Sequence, residues 1–199
     1  MEKTFSKIDP WDDIDSSYNS SKFSRQLKLI KQYAPKSLLE VGCSEGVFTQ
    51  LLADYVQNIN AIDVSDKAII RAKLRCKDKR NVIFFCTDIT VLKFSRQYDM
   101  ILLAEVLSYV IWCNSLLEIG YLFERFIRSL RHNGKIVIVN TIQQKDIITN
   151  KDIIEYYPWT RNAYYSILET LGMKRIYYKT YSGIKNEQKR KYEIVVYGK

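Results

Sequence analysis

In Leu39-Glu40-Val41-Gly42-Cys43-Ser44-Glu45-Gly46-Val47-Phe48-Thr49, a short apolar run leads through two glycines into a helical pattern, and this order of features indicates the fold class. An apolar run of this length that stops at a glycine-bearing turn is typical of a strand buried on both faces. Gly42 permits the sharp turn, and Gly46 permits close approach of the backbone and the next helix to a ligand. The Gly-x-x-x-Gly spacing differs from the dinucleotide fingerprint Gly-x-Gly-x-x-Gly. We therefore predict a buried strand, a ligand-binding turn and a helix here.

Outward from this stretch, strand-like segments alternate with segments of helical spacing along the chain. Helices are predicted at 16–35, 47–55, 66–76, 115–130 and 159–171. Strands are predicted at 37–41, 59–62, 82–86, 98–104, 135–139, 174–181 and 192–197. This alternation predicts an α/β fold, a doubly wound, Rossmann-like sheet of seven mostly parallel strands. The polar loop at 182–191 is too short for a crossover helix, so we expect the last strand to be antiparallel.

The composition is that of an ordinary globular domain. Of the 199 residues, 47% are hydrophobic and 13% aromatic, which is enough for a core without metals or disulfides. We predict a single domain with an N-terminal arm and helix (1–35), a ligand-binding core (36–140) and a closing region of loop, helix and strands (141–199). The sequence contains no membrane-spanning apolar stretch and no signal peptide, so we expect a cytoplasmic protein. The net charge of +9 favours anionic partners.

The cysteines and the single histidine do not have the spacing of a metal site. Cys43, Cys76, Cys86 and Cys113 lie far apart without a Cys-x-x-Cys pair, so we expect no zinc and mostly buried, reduced thiols. His132 lies in the predicted turn before the fifth strand, where we interpret it as a turn residue.

Three acids follow three consecutive predicted strands. Asp63 stands about 20 residues after the first glycine, where doubly wound sheets place a carboxylate that accepts hydrogen bonds from two ribose hydroxyls. Glu40 ends the first strand, and Asp88, after the third, is placed to hold an adenine amino group, with Val64 and Ile89 on the ring faces. The alternative for each acid alone is a helix N-cap or a solvated loop.

With these features the chain resembles the class I S-adenosylmethionine-dependent methyltransferases over about residues 36–140. Within that class it resembles the nodulation protein S-like methyltransferases, and the matching motifs are Asp9-Pro10-Trp11, Leu39-Glu40-Val41-Gly42-Cys43-Ser44, Ala61-Ile62-Asp63-Val64-Ser65 and Leu102-Leu103-Ala104-Glu105-Val106-Leu107-Ser108-Tyr109. The resemblance implies S-adenosylmethionine as cofactor, S-adenosylhomocysteine as product and no metal. It also implies that the ribose is held by Asp63, and that the methionine part is held by Glu40, Gly42, Cys43, Ser44 and Gly46.

The segment after the fourth strand is the candidate catalytic region. The resemblance places Ala104 and Glu105 beside the sulfonium of the cofactor, and Glu105 is the first candidate for a cofactor contact or a general base. Tyr109 is a candidate for orienting the acceptor. The alternative is that Glu105 caps the following turn and that Tyr109 belongs to the core.

Large aromatic residues mark two candidate acceptor-binding regions. Trp11 and Tyr18 lie in and after the polar arm, which we interpret as a lid, and Tyr157 and Trp159 lie in the predicted variable region from Thr141 to Trp159. Amphipathic rings suit stacking on a sugar, although the same rings suit a hydrophobic core.

The predicted function is transfer of a methyl group to an amino or hydroxyl group of a saccharide or glycan. This substrate follows from the resemblance, since the named member of that family N-methylates a deacetylated amino sugar at the end of a chito-oligosaccharide. The first alternative is methylation of RNA or another anionic polymer, motivated by the charge and by basic runs at 71–80 and 185–191. The second alternative is a catalytically inactive partner subunit with the same fold.

Overall fold

The structure is a computed structural model that describes residues 7–11, 13–14, 16–92, 94, 97–146, 152–155 and 158–199. The chain forms two compact units, which meet in the sequence between Leu102 and Leu103. The organisation into one domain therefore stays a prediction.

The first unit holds the predicted ligand-binding strands. Its elements are α1 (Ser17–Tyr33), β1 (Ser37–Val41), α2 (Val47–Leu52), β2 (Asn58–Asp63), α3 (Asp66–Arg75), β3 (Val82–Cys86) and most of β4 (Tyr98–Ala104). β1, β2 and β3 are parallel, with Val41 paired to Ile62 and Asp63 paired to Cys86. Serine side chains cap the N-termini of two of these helices. Ser16 accepts a hydrogen bond from the Asn19 amide of α1, and Ser65 accepts one from the Ala68 amide of α3.

The second unit begins with the last two residues of β4. It contains α4 (Leu107–Cys113), α5 (Leu116–Ser129), β5 (Leu130–Asp146), β6 (Asp152–Glu155), α6 (Pro158–Thr170), β7 (Lys174–Lys185) and β8 (Gln188–Gly198). β8 lies antiparallel between β5 and β7, and β6 pairs antiparallel with the end of β5. Ser115 and Glu118 form a capping box that starts α5.

The strand order is β3-β2-β1-β4-β5-β8-β7, with β6 beside β5. This order confirms the predicted α/β, mostly parallel, seven-stranded sheet with the last strand antiparallel, to which β6 adds a short eighth strand. The order reverses beside β1, so the carboxyl end of β1 lies at the topological switch point where doubly wound sheets bind ligands. None of the helices in the described part of the chain is long and apolar enough to span a membrane.

The predicted loop at 182–191 is wrong. β7 and β8 continue to a two-residue turn at Asn186 and Glu187, whose φ angles are 49° and 57°. Two left-handed residues form the kind of turn that matches the twist of a hairpin, and Asn tolerates this conformation well. The polar residues of this segment are strand residues with many solvent-exposed side chains, and polarity of this kind does not distinguish an exposed strand from a loop.

The ends of β5 also differ from the prediction. The strand continues past Thr141 to Asp146 and is followed by β6, so the region 141–159 is only in part a loop. The strand starts at Leu130, so His132 is an exposed residue of β5 and not a turn residue before it, although the neighbouring Asn133 has a φ of 61°. The sequence reading also missed α4, because its run of apolar residues has no clear helical period.

Candidate functional site

The loop after β1 has the sharp turn that its glycines predict. Gly42 has a φ of 77°, and the amides of Gly42 and Cys43 both donate to the carbonyl oxygen of Ile62 at 2.8 and 2.9 Å. Gly46, with a φ of 76°, caps α2, and a Cβ there would lie 3.0 Å from the Cα of Ala72 in α3. Glycine is therefore needed at position 46 because α3 packs closely against the loop.

Asp63 joins the loop after β1 to the end of β2. Its carboxylate is buried and accepts hydrogen bonds from the Ser44 amide at 2.9 Å and the Ser65 amide at 3.0 Å. The first bond holds Ser44 in a left-handed conformation, with a φ of 51°. A carboxylate has about four lone-pair positions, so Asp63 can also accept hydrogen bonds from ligand hydroxyls.

Glu40 is buried one position before the end of β1. It is only 4% exposed, and its Oε2 accepts a hydrogen bond of 2.7 Å from the Thr49 hydroxyl. Burial raises the pKa of Glu40 from 4.5 to about 7, the bond from Thr49 opposes the rise, and the nearby charge of Asp63 adds to it. This carboxyl group therefore changes its charge near neutral pH.

The raised pKa predicts that Glu40 weakens the fold as the pH rises. The folded protein keeps a proton that the unfolded chain loses above pH 4.5, so this contribution to the free energy of unfolding is lost between about pH 4.5 and 7. We therefore compare the free energy of unfolding of Glu40→Gln with that of wild type. The difference in favour of the variant should increase by on the order of 3 kcal/mol between pH 5 and pH 8. Urea denaturation of both proteins at the two pH values measures this difference, and an equal difference at both would refute it.

The acid after β3 has a local structural role. Oδ1 of Asp88 accepts hydrogen bonds from the amide and the hydroxyl of Thr90, both at 2.8 Å, so the carboxylate caps the turn that follows. Of the two residues proposed for the adenine faces, Val64 is 52% exposed and Ile89 is buried. Contact of these three residues with an adenine ring stays a prediction.

Glu45 is a residue that the sequence reading missed. It is 2% exposed, and both carboxylate oxygens accept from the amide of Asp9, at 3.2 and 3.1 Å. Arg71 of α3 donates to Glu45 Oε1 at 2.6 Å and to the carbonyl oxygen of Lys7 at 2.7 Å. Arg75 donates to the backbone carbonyl of Glu45. The arm is thus fixed to the glycine loop by Glu45 and Arg71, which form a partly buried ion pair and each bond a backbone group of the arm.

The arm has its own hydrogen-bonded structure. The Asp9 carboxylate accepts from the amides of Asp13 and Ile14, and the Asn19 side chain donates to the Trp11 carbonyl at 3.3 Å and to Asp13 at 2.9 Å. The Trp11 side chain is 38% exposed, whereas Tyr18 in α1 is buried. Trp11 therefore fits the ligand-facing interpretation better than Tyr18, which belongs to the packed face of α1.

In the second unit, Thr141 holds the carboxylate of Glu105, the candidate general base. Glu105 follows Ala104 at the end of β4 with a φ of 56°, and its amide donates to Val139 of β5 at 2.8 Å. The amide and hydroxyl of Thr141 donate to the two carboxylate oxygens of Glu105, each at 2.9 Å. A non-glycine residue in this strained conformation is a recurrent feature of functional sites.

The other candidates of this unit are less constrained by the structure. Tyr109 lies in α4 and is partly exposed, and Trp159 lies in the first turn of α6. Tyr157 lies outside the described residues.

Of the cysteines, Cys43 and Cys76 are buried, and Cys86 and Cys113 are exposed, so only two of the four match the expected burial. Burial raises the pKa of the Cys43 thiol.

Intramolecular partners hold several side chains of the basic run at 71–80. Arg71 pairs with Glu45, Arg75 donates to the Glu45 carbonyl, and Lys79 pairs with Asp54. At these positions the positive charge is used within the fold, which weakens the case for a nucleic-acid surface.

The chain is similar to rhizobial nodulation proteins. The family model described as nodulation protein S (NodS) matches residues 1–149. Nodulation protein S of Sinorhizobium fredii is 33% identical over 103 residues, which cover 51% of this chain and 48% of the relative. The Bradyrhizobium diazoefficiens protein is 31% identical over 111 residues, which cover 55% and 53%. The chain thus spans about half the length of these curated relatives.

The fold is similar to that of a solved structure of the same family. The crystal structure of the N-methyltransferase NodS from Bradyrhizobium japonicum WM9 in complex with S-adenosylhomocysteine has a TM-score of 0.79 at 23% identity. The match covers 99% of this chain and 95% of that one. The chain belongs to the nodulation protein S family and has the fold of the class I methyltransferases.

Proposed function

We propose that the protein is an S-adenosylmethionine-dependent methyltransferase. The observation that carries the proposal is the pair of buried carboxylates, Glu40 and Asp63, beside the left-handed glycine loop at the carboxyl end of β1. The loop residues 42–46 include no basic side chain, and Arg71 beside them is paired with Glu45. Such a set of acidic acceptors suits a cofactor that carries hydroxyls and positive charge, as S-adenosylmethionine does, and does not suit a phosphate.

Each candidate residue then has a specific task. Glu40 and the loop 42–46 hold the methionine part, Asp63 accepts from the ribose hydroxyls, and Asp88 accepts from the adenine amino group. When bound, the cofactor supplies a methyl group on a positively charged sulfur. Glu105 accepts the proton that the acceptor must lose, while its bonds to Thr141 fix its orientation.

The proposed acceptor is an amino or hydroxyl group of a saccharide. Family membership supports the amino group, since the structural relative is an N-methyltransferase. Trp11 supports the saccharide, because an exposed indole ring on a fixed arm is suited to stacking on a sugar. Tyr109, Tyr157 and Trp159 complete the set of proposed acceptor-binding residues, whereas the buried Tyr18 is left out of it.

Calorimetric titration with S-adenosylhomocysteine is the first test of this function. Binding in the micromolar range would support the enzyme, and its absence in well-folded protein would favour the inactive partner subunit. Methyl transfer from labelled cofactor to glucosamine oligomers would support the saccharide acceptor. Transfer to RNA instead, with binding that weakens steeply as salt increases, would support an anionic polymer.

The arm is proposed to act as a lid that retains the cofactor, and Glu45 is the residue that tests this role. The Glu45→Gln variant should release S-adenosylhomocysteine about tenfold faster than wild type, because a charged hydrogen bond to the Asp9 amide and the ion pair with Arg71 are lost. The rate is measured by displacement of a fluorescent cofactor analogue.

Asp54→Asn is the matched control for Glu45→Gln, because it removes an ion pair with Lys79 in the same unit that involves no arm residue. Its release rate should equal that of wild type. An unchanged rate in Glu45→Gln would show that the arm does not retain the cofactor.

A further inference from the structure

A buried polar layer lies between α6 and the two strands β5 and β8. Asn140 donates from Nδ2 to the Tyr164 hydroxyl at 2.7 Å, and the Tyr165 hydroxyl donates to Oε1 of Glu193 at 2.5 Å. Asn140 and Glu193 are paired residues of β5 and β8, so both project toward the same helix. Nη1 of Arg161 lies 3.7 Å from Oε2 of Glu193.

Stability alone does not account for this layer. Glu193 is 0% exposed, and its Oε2 has no hydrogen-bond partner among the described residues. Burying such a carboxylate is expensive, and well-packed apolar residues of similar volume are often as stable as a buried ion pair or more so. Positions where a sequence departs from apolar core packing are commonly tied to function.

The layer is directly linked to the candidate base. Asn140 precedes Thr141, whose amide and hydroxyl hold both oxygens of Glu105. Side chains alternate along a strand, so the Asn140 side chain and the Thr141 side chain extend to opposite faces of β5. The bond to Tyr164 therefore anchors β5 to α6 at the residue next to the one that orients Glu105.

We propose that Tyr164 is a positioning residue for the proposed methyl transfer: by holding Asn140 it fixes Thr141, and Thr141 aims the Glu105 carboxylate. The inference rests on the proposed function, in which Glu105 is the base. Burial, and then the charge of Glu193, raise the pKa of Tyr164, so its hydroxyl stays neutral and keeps its proton at physiological pH. A catalytic group displaced by a fraction of an ångström loses much of its effect, which gives such an anchor its value.

Amide hydrogen exchange at Thr141 tests the anchor without cofactor or acceptor. In the Tyr164→Phe variant this amide should exchange about tenfold faster, since its bond to Glu105 is no longer held in place. Tyr197→Phe is the matched control: it removes a hydroxyl from a buried tyrosine of the same unit, whose hydroxyl donates to Glu169. There the Thr141 amide should exchange at close to the wild-type rate, although unfolding temperatures of both variants should fall.

Turnover of glucosamine oligomers provides the second measurement. Tyr164→Phe should lower kcat about tenfold with little change in the affinity for S-adenosylhomocysteine, and it should add no further loss to Glu105→Gln. Unchanged Thr141 exchange in Tyr164→Phe, or an equal rise in Tyr197→Phe, would overturn the inference even if the enzyme is active. Failure of wild type to bind S-adenosylhomocysteine would overturn the proposed function while leaving the exchange result intact.

Discussion

Calorimetric titration of the Asp63→Ala variant with S-adenosylhomocysteine is expected to show an affinity about 100-fold below that of wild type. The proposed ribose contact contributes part of this loss, because a carboxylate that accepts from two hydroxyls is removed. The remainder comes from the loop, since the amide of Ser44 loses its partner and the strained turn after β1 is no longer held. The loss of the ribose contact and the loosening of the loop both lower the affinity for S-adenosylhomocysteine, so the expected decrease is large.

Two controls separate binding from folding. Asp54→Ala removes an exposed carboxylate that pairs with Lys79 in the same unit, and it should bind S-adenosylhomocysteine as wild type does. Thermal unfolding of Asp63→Ala should show a folded protein at the titration temperature. Unchanged affinity in folded Asp63→Ala would remove this residue from the cofactor site.

Glu105→Gln is expected to lower kcat by about 100-fold while the affinity for S-adenosylhomocysteine changes by less than about threefold. Glutamine preserves the geometry at this position, because its oxygen can accept from the Thr141 amide and its nitrogen can donate to the Thr141 hydroxyl. The substitution therefore removes the basic group and leaves its support in place. Steady-state methylation of glucosamine oligomers and calorimetry on the same preparations measure the two quantities.

The comparison of the two quantities decides the role of Glu105. If turnover and affinity fall by the same factor, Glu105 is a cofactor ligand. If neither changes, Glu105 has a structural role only, and the base is another residue. Thr141→Val provides a check, because it removes the hydroxyl bond and should reduce turnover less than Glu105→Gln does.

Elements that depend on nearby residues could be predicted from the sequence. The predicted strands and helices occur in the predicted order, with α4 and β6 in addition, and the turn at Gly42 and Gly46 lies where their spacing placed it. Asp63 lies at the predicted end of β2, next to the loop, because parallel strands bring their carboxyl ends to one edge. These features follow from periodicity and turn chemistry, which act over a few residues.

Features that depend on distant partners could not be predicted. Glu45 contacts Asp9, which is 36 residues away, and no local pattern distinguishes it from a solvated loop acid. The polar layer under β5 was missed because Tyr164 and Glu193 have ordinary amphipathic or alternating surroundings in the sequence. The end of the β7–β8 hairpin is not predictable from its polar sequence, because polarity does not distinguish a loop from an exposed strand.

The arm is attached to the glycine loop through its backbone, so its sequence can vary more than its position. Glu45 and Arg71 bind the amide of Asp9 and the carbonyl of Lys7, which are backbone groups. An exposed arm side chain such as that of Ile8 can therefore be exchanged while these two bonds stay in place, whereas a proline at position 9 would remove the amide on which the attachment depends. The arm is thus suited to laboratory libraries in which its outward side chains are varied to select new acceptors on an unchanged scaffold.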